Sequence, residues 1–395
     1  MAIATLQFPT PIRRRAKVAP RDFARRDRAI ELFDALDFEE SIRETLGYLL
    51  PDLEIPNLRH EGMCFVQGSA RVRIRIDQDR VLLSTELAAL RADAPATAAL
   101  RYFLSRLSST GQMFQPRLRD ASITLEFADS WRLLHPLKLI EMLQRLPSEA
   151  DSNDAWMIEE FAIDTPDREP IAELDDDELN VAATIWRDHW VAVDELMVEC
   201  RRRRSLRFLD ALSTYTADQV RYTLPLYGVV RARLNDSADT FTDKDGNPTR
   251  RESTLVKCIK EMRKIGPAEL KSSLGHARYA INPLREGSPS LLTSILGGGS
   301  TMQTIGELRA SGRALEASIE LIADYYYLLA HHSWAPEIET ALRVALDQVS
   351  GKPWRDIADG LWSQANVIAR VHGSHGEQDR DEPSQEYPAG NHYDA

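Results

Sequence analysis

Cysteine is scarce in this chain. Cys64, Cys200 and Cys258 are the only three among 395 residues, and no two of them share a CxxC spacing. An odd, sparse set excludes a disulfide framework and a thiolate zinc site, and it fits a reducing compartment. Long apolar runs are missing as well. None reaches the roughly 18 residues that a membrane span requires, so no membrane partner is expected and a cytoplasmic location is. No basic start followed by an apolar core marks a secretory signal. Positive charge is in deficit: 49 Lys and Arg face 61 Asp and Glu, a formal net charge of −12. That balance disfavours generic nucleic-acid binding, which needs a basic surface to neutralise phosphates.

Catalytic signatures are also absent. No GxSxG elbow, Rossmann glycine fingerprint, kinase set or HExxH pair occurs. Asp243, Asp245 and Asn247 begin like a calcium loop, but Pro248 stands where that loop needs glycine and Thr254 where it needs glutamate. They read as a turn. Gly297, Gly298 and Gly299 lack a following P-loop lysine and read as a hinge within a mobile loop over 282–303. His331 and His332 would project about 100° apart on a helix, so they cannot easily share a metal, even with Asp324 nearby. No catalytic residue, cofactor or metal is therefore expected, and the chain reads as a non-enzyme.

What is present divides the chain in two. The first 28 residues hold eight Lys and Arg against two Asp, with Pro9, Pro11 and Pro20 among them, which predicts a disordered basic arm over 1–24. Ile30, Phe33, Leu36, Ile42, Leu46 and Leu49 then recur at helical spacing, predicting a helix over 27–50 that Pro51 stops. Strand patterns follow at 63–83, where Val72, Ile74 and Ile76 alternate with Arg71, Arg73 and Arg75. The alternation predicts a half-buried antiparallel strand whose wet face carries the three arginines. A helix over 97–109, a strand over 118–127 and a helix over 136–146, bounded by Pro136 and Pro147, complete the pattern. Residues 147–170 carry eight acids against one arginine and place a boundary near 166–170, with 154–163 closing the first domain.

From 171 onward the period turns helical. Asp175, Asp176, Asp177 and Glu178 crowd the start of a helix that Leu179, Ala183, Trp186, Trp190, Val193, Met197 and Cys200 carry toward 212. Further helices are predicted at 216–234, 252–265, 304–332, 336–349 and 354–371. The tail over 373–395, with six acids and little apolar mass, predicts a disordered end. The fold class is thus α+β: an N-terminal antiparallel sheet flanked by helices over 25–165, then a mainly α-helical domain over 171–372. Arg201, Arg202, Arg203 and Arg204 wrap a full helical turn and join Arg71, Arg73 and Arg75 as candidate partner-binding residues.

The order helix 27–50, strands 63–83, helix 97–109, strand 118–127 and helix 136–146 resembles the domain shared by type III secretion chaperones and YbjN-like proteins. The resemblance rests on that order and on the look of 65–76, 81–90 and 123–127, and it extends to about Ile163. It implies a bacterial-type, non-enzymatic domain, often dimeric, that binds a protein chain by strand addition and apolar pockets. The expected function is an adaptor or chaperone-like protein binding a partner polypeptide or a second copy of itself. Two alternatives stand beside it: a nucleic-acid-associated factor using the basic arm and Arg201 to Arg204, and an enzyme with an interdomain site near the 282–303 loop.

Overall fold

The computed structural model describes residues 5–13, 18–19, 21–90, 96–107, 113–152, 163–164 and 168–373. Most of the segment expected to close the first domain, 154–163, and the tail beyond 373 lie outside the described residues. The fold is α+β, an N-terminal antiparallel sheet with flanking helices followed by a mostly helical region.

The single helix expected over 27–50 is two. Helix α1 (Phe23–Asp34) ends at Leu36, which turns left-handed at φ 65°, and Asp37 caps α2 (Phe38–Leu49) by accepting the Glu40 N–H at 3.5 Å. Strands β1 (Met63–Gly68), β2 (Ala70–Asp77) and β3 (Arg80–Ala89) form a meander. Helix α3 (Ala96–Leu107), β4 (Gln115–Arg119), β5 (Ser122–Ser130) and α4 (Pro136–Ser152) follow. Pro147 does not stop α4; it sits inside the helix, which continues to buried Ala150 and to Asp151, whose carboxylate is bound from two sides. Val72, Ile74, Ile76, Val81, Leu83, Leu125 and Phe127 pack on Ile42 and Leu46 of α2 and on Leu139, Met142 and Leu143 of α4. Alternate residues point the other way, as the period-2 geometry demands.

The helical half begins with the short β6 (Ala172–Glu173) and α5 (Asp176–Arg203), where Asp175 and Glu178 form a reciprocal capping box. Acids crowd the first turn of α5 and Arg201, Arg202 and Arg203 its last, each complementing the helix dipole. The continuous helix expected toward 212 breaks at Arg204, left-handed at φ 52°, and Ser205 caps α6 (Leu206–Thr223). Further breaks arise at Pro225 and Gly312, giving α7 (Gly228–Phe241), α8 (Pro248–Met262), α9 (Pro267–Lys271), α11 (Ser300–Ala310) and α12 (Ala314–His331). The expected loop over 282–303 is largely structured. It contains β9 (Arg285–Glu286), which pairs in parallel with β10 (His332–Ser333), and α10 (Pro289–Leu296), capped by Ser288, with Leu292 and Leu296 in the helical core. The cap, Pro289 at the first turn and the spacing of Leu292 and Leu296 are helix signals that the neighbouring glycines had outweighed. Helices α13 (Pro336–Val349) and α14 (Trp354–His372) close the chain, and α12 lies at the centre, packed against α6, α14, α11 and α13.

The two halves trade segments. Strands β7 (Gly275–His276) and β8 (Arg278–Tyr279) belong to the helical half, yet β8 pairs with Gln67 and Gly68 and extends the sheet to the order β4-β5-β3-β2-β1-β8. Ile281 enters the sheet-side core, and the Gln67 amide bonds both its main-chain N–H and its C=O at 2.9 Å. In return, residues 5–13 cross the helical half. Leu6 and Phe8 are buried in its core, so this part of the expected disordered arm is not free. The reason is apolar: Leu6, Phe8 and Ile12 punctuate the segment at spacings that composition had masked.

Candidate functional site

The sequence-predicted arginines fall into two sets on different domains. Arg73 and Arg75 are exposed on the open face of β2, opposite Ser84 and Leu82 of β3. Arg71 is half-buried and pairs with Glu169 at 2.8 Å, and Glu169 also meets Arg278 of β8 at 3.6 Å. At the end of α5, Arg201 binds Glu252 at 2.7 Å, Arg202 binds Glu199 at 2.5 Å and Arg203 binds buried Glu316 at 2.6 Å. Three of the four arginines proposed to meet an acidic or phosphate partner are thus paired within the fold. Arg204 is exposed at the helix end.

The surface with most binding character was not anticipated. The α1–α2 turn and the loop ahead of α4 meet at one end of the sheet domain. Phe33 stacks edge-on against Phe38 (5.5 Å between centroids) and His135 (5.2 Å), and Phe38 lies over Trp131 at 6.4 Å. Arg59 sits 4.4 Å above the Trp131 ring, and Arg132 stands 5.9 Å from Phe38. Leu36, expected in the buried stripe of α1, is 71% exposed beside these rings, and Leu133 is 70% exposed. The Trp131 indole N–H is buried and has no hydrogen-bond partner among the described residues. Aromatic rings and arginine are enriched at interface hot spots, and the bare leucines add exposed apolar area beside them. No local sequence signal marked it, because Leu36 keeps the helical spacing of 27–50 and the rings it neighbours come from distant parts of the chain.

No family model, curated protein or solved structure matches this chain.

Elsewhere, titratable groups serve packing. His189 is buried between Gln219 Oε1 and the Thr216 carbonyl, and burial pulls its pKa down to about 4. It therefore stays neutral at pH 7. Burial pushes the Cys200 and Cys258 thiols up to about 12, so neither is a ready thiolate. On α12, Glu316, Glu320 and Asp324 form an i, i+4, i+8 stripe. Arg203 meets Glu316 and Arg207 meets Glu320, whereas Asp324 Oδ2 is buried without a hydrogen bond among the described residues. Burial, followed by the Glu320 charge, pushes the Asp324 carboxyl up to about 7. His331 Nε2–H donates to the buried Asp218 carboxylate at 2.9 Å, the geometry of an oriented base, but no described serine, threonine or cysteine hydrogen-bonds it. Near the expected interdomain site, Arg13, Tyr222, Tyr279, Asn282, Ser333 and Glu339 line a cavity of about 40 Å³. A space of that size holds a few water molecules.

The contact between the halves is itself polar and buried. Asp151 Oδ1 accepts the Ser69 N–H at 2.7 Å and the Ser69 hydroxyl at 3.1 Å, and Oδ2 accepts Arg231 Nη1 at 3.0 Å. Gly68 makes this approach possible. Its φ is +66°, and a Cβ there would stand 2.1 Å from the Asp151 carboxylate. No helix among the described residues is long and apolar enough to cross a membrane.

Proposed function

We propose that this chain is a cytoplasmic, non-enzymatic adaptor or chaperone-like protein that binds a partner polypeptide, or a second copy of itself, through its N-terminal domain. The observation that carries the proposal is the cluster of Phe33, Leu36, Phe38, Trp131 and Leu133, where bare leucines flank aromatic rings. Burying two exposed leucines is worth roughly 1.5–3 kcal/mol each, and aromatic and arginine anchors of the kind beside them dominate binding energy. The element order supports the same reading through the resemblance to secretion chaperones. Side-chain docking is favoured over strand addition at β4, because Pro116 removes a donor and Arg117 and Arg119 guard that edge. The α13–α14 groove, lined by Ala341, Val344, Val367, Ile368 and Val371, offers a second apolar surface on the helical half.

A double variant, Leu36→Asp with Leu133→Asp, tests the patch, since exposed substitutions leave stability within about 0.5 kcal/mol. Light scattering and capture from native lysate should show a partner or dimer for the wild type and its loss in the variant. A strictly monomeric wild type that captures the same proteins as the variant sinks the proposal.

A further inference from the structure

We propose that the cleft between α6, α12 and the α13–α14 turn is a peptide-binding groove for an extended Leu-x-Phe segment, and that residues 5–13 occupy it as the protein's own tethered ligand. The patch on the sheet domain plays no part in this inference.

The anatomy is that of peptide recognition, where main-chain bonds give affinity and alternate side-chain pockets give specificity. Leu6 and Phe8 point into the helical core and are 2% and 5% exposed, while Gln7 between them is exposed. Phe8 lies 6.3 Å from the Tyr326 ring. Around these two sockets the groove reads backbone. Gly351 N–H donates to the Leu6 carbonyl at 2.8 Å, the Phe8 N–H donates to Ser350 Oγ at 2.9 Å, and Gln219 Nε2 donates to the Gln7 carbonyl at 3.4 Å. The Ser350 hydroxyl in turn donates to Gln7 Oε1 at 3.1 Å. Further along, the Ile12 and Arg13 N–H groups donate to the Thr223 carbonyl at 2.9 and 3.1 Å, and Arg13 Nη1 donates to the Arg221 carbonyl at 2.6 Å. These carbonyls belong to the last turn of α6, which has no later helical N–H to satisfy them. Gly351 fits the same purpose. Its φ is +71°, and a Cβ would stand 2.9 Å from Gln7 Nε2.

None of these contacts is a strand ladder or a helix of which residues 5–13 form an integral part. The segment is held by side-chain sockets and helix ends of the helical half. Such a segment can leave and return as a unit.

A cleavage site for a sequence-specific protease placed over residues 14–17, with the folded full-length chain then nicked, tests this directly. The N-terminal fragment should stay associated and should exchange with a labelled synthetic peptide of residues 1–13. A peptide carrying Leu6→Ser and Phe8→Ser should compete at least about 100-fold less well. Failure of the nicked, folded protein to take up the native peptide, or equal competition by the doubly substituted one, overturns the proposal. In the intact chain, native-state hydrogen exchange gives an independent reading. The Phe8 and Gly351 amides should exchange together and ahead of the amides of α12; exchange of both only with global unfolding overturns it equally.

Discussion

Replacing Asp151 by alanine should cost about 4 kcal/mol, and the magnitude follows from what its carboxylate holds. The side chain is 7% exposed and satisfies the Ser69 N–H, the Ser69 hydroxyl and one Arg231 N–H. Removing one partner of a buried ion pair costs about 3–5 kcal/mol, because the other charge is left uncompensated. Arg231, with 31% of its side chain exposed, can recover part of its hydration, which places the expectation at the lower end. The orphaned Ser69 N–H adds a penalty of the order of 1 kcal/mol, while Ser69 Oγ can rotate. Urea unfolding followed by circular dichroism measures the loss, and at roughly 1.2 °C per kcal/mol for a chain of this size Tm should fall by about 5 °C. The cycle of Asp151→Ala, Arg231→Ala and the double variant should give a coupling of at least about 1.5 kcal/mol. A single-variant loss below about 0.5 kcal/mol, or additive effects, would refute the claim that this pair ties the sheet domain to the helical one.

Three further outcomes are expected. Asp324 binds its proton more tightly in the folded chain (about 7) than its ordinary value of 3.8 allows, so its contribution is complete at acid pH and is lost as pH rises from about 4 to about 7. Asp324→Asn should abolish that fall, a gain of at most about 4 kcal/mol above pH 7 in urea unfolding. His189 has the opposite sign. Its folded pKa of about 4 lies below the ordinary 6.5, so stability present above 6.5 is lost by about 3 kcal/mol as pH drops toward 4, and His189→Phe should remove this acid loss. Gly68→Ala should destabilise by more than 1 kcal/mol, seen as a lower urea midpoint, because its left-handed turn and the Asp151 contact both exclude a Cβ.

Much of the sheet domain was legible because its period is short and local. The alternation of Val72, Ile74 and Ile76 with Arg71, Arg73 and Arg75 places one set inward and one outward in any antiparallel sheet. Helix interiors were equally plain in α5, α13 and α14. Helix ends were not, since Leu36 and Arg204 adopt left-handed turns that apolar or basic residues rarely take, and both had been read as helix. The aromatic cluster could not be seen either. Phe33 and His135 lie about a hundred positions apart, as nearly do Phe38 and Trp131, and each pair meets only because α1, α2 and α4 pack on the same sheet face.

By itself, the sequence determined the α+β class, the sheet's inner and outer faces and the helical character of the second half, because each depends on periods of two or 3.6 residues within one element. Tertiary structure alone decided which segments change sides. Residues 5–13 join the helical core, Tyr279 joins the sheet and Ile281 the core beneath it, and Asp151 and Arg231 meet at the seam. Those choices depend on which distant surface can bury a short apolar segment or neutralise a charge, and no local period records that.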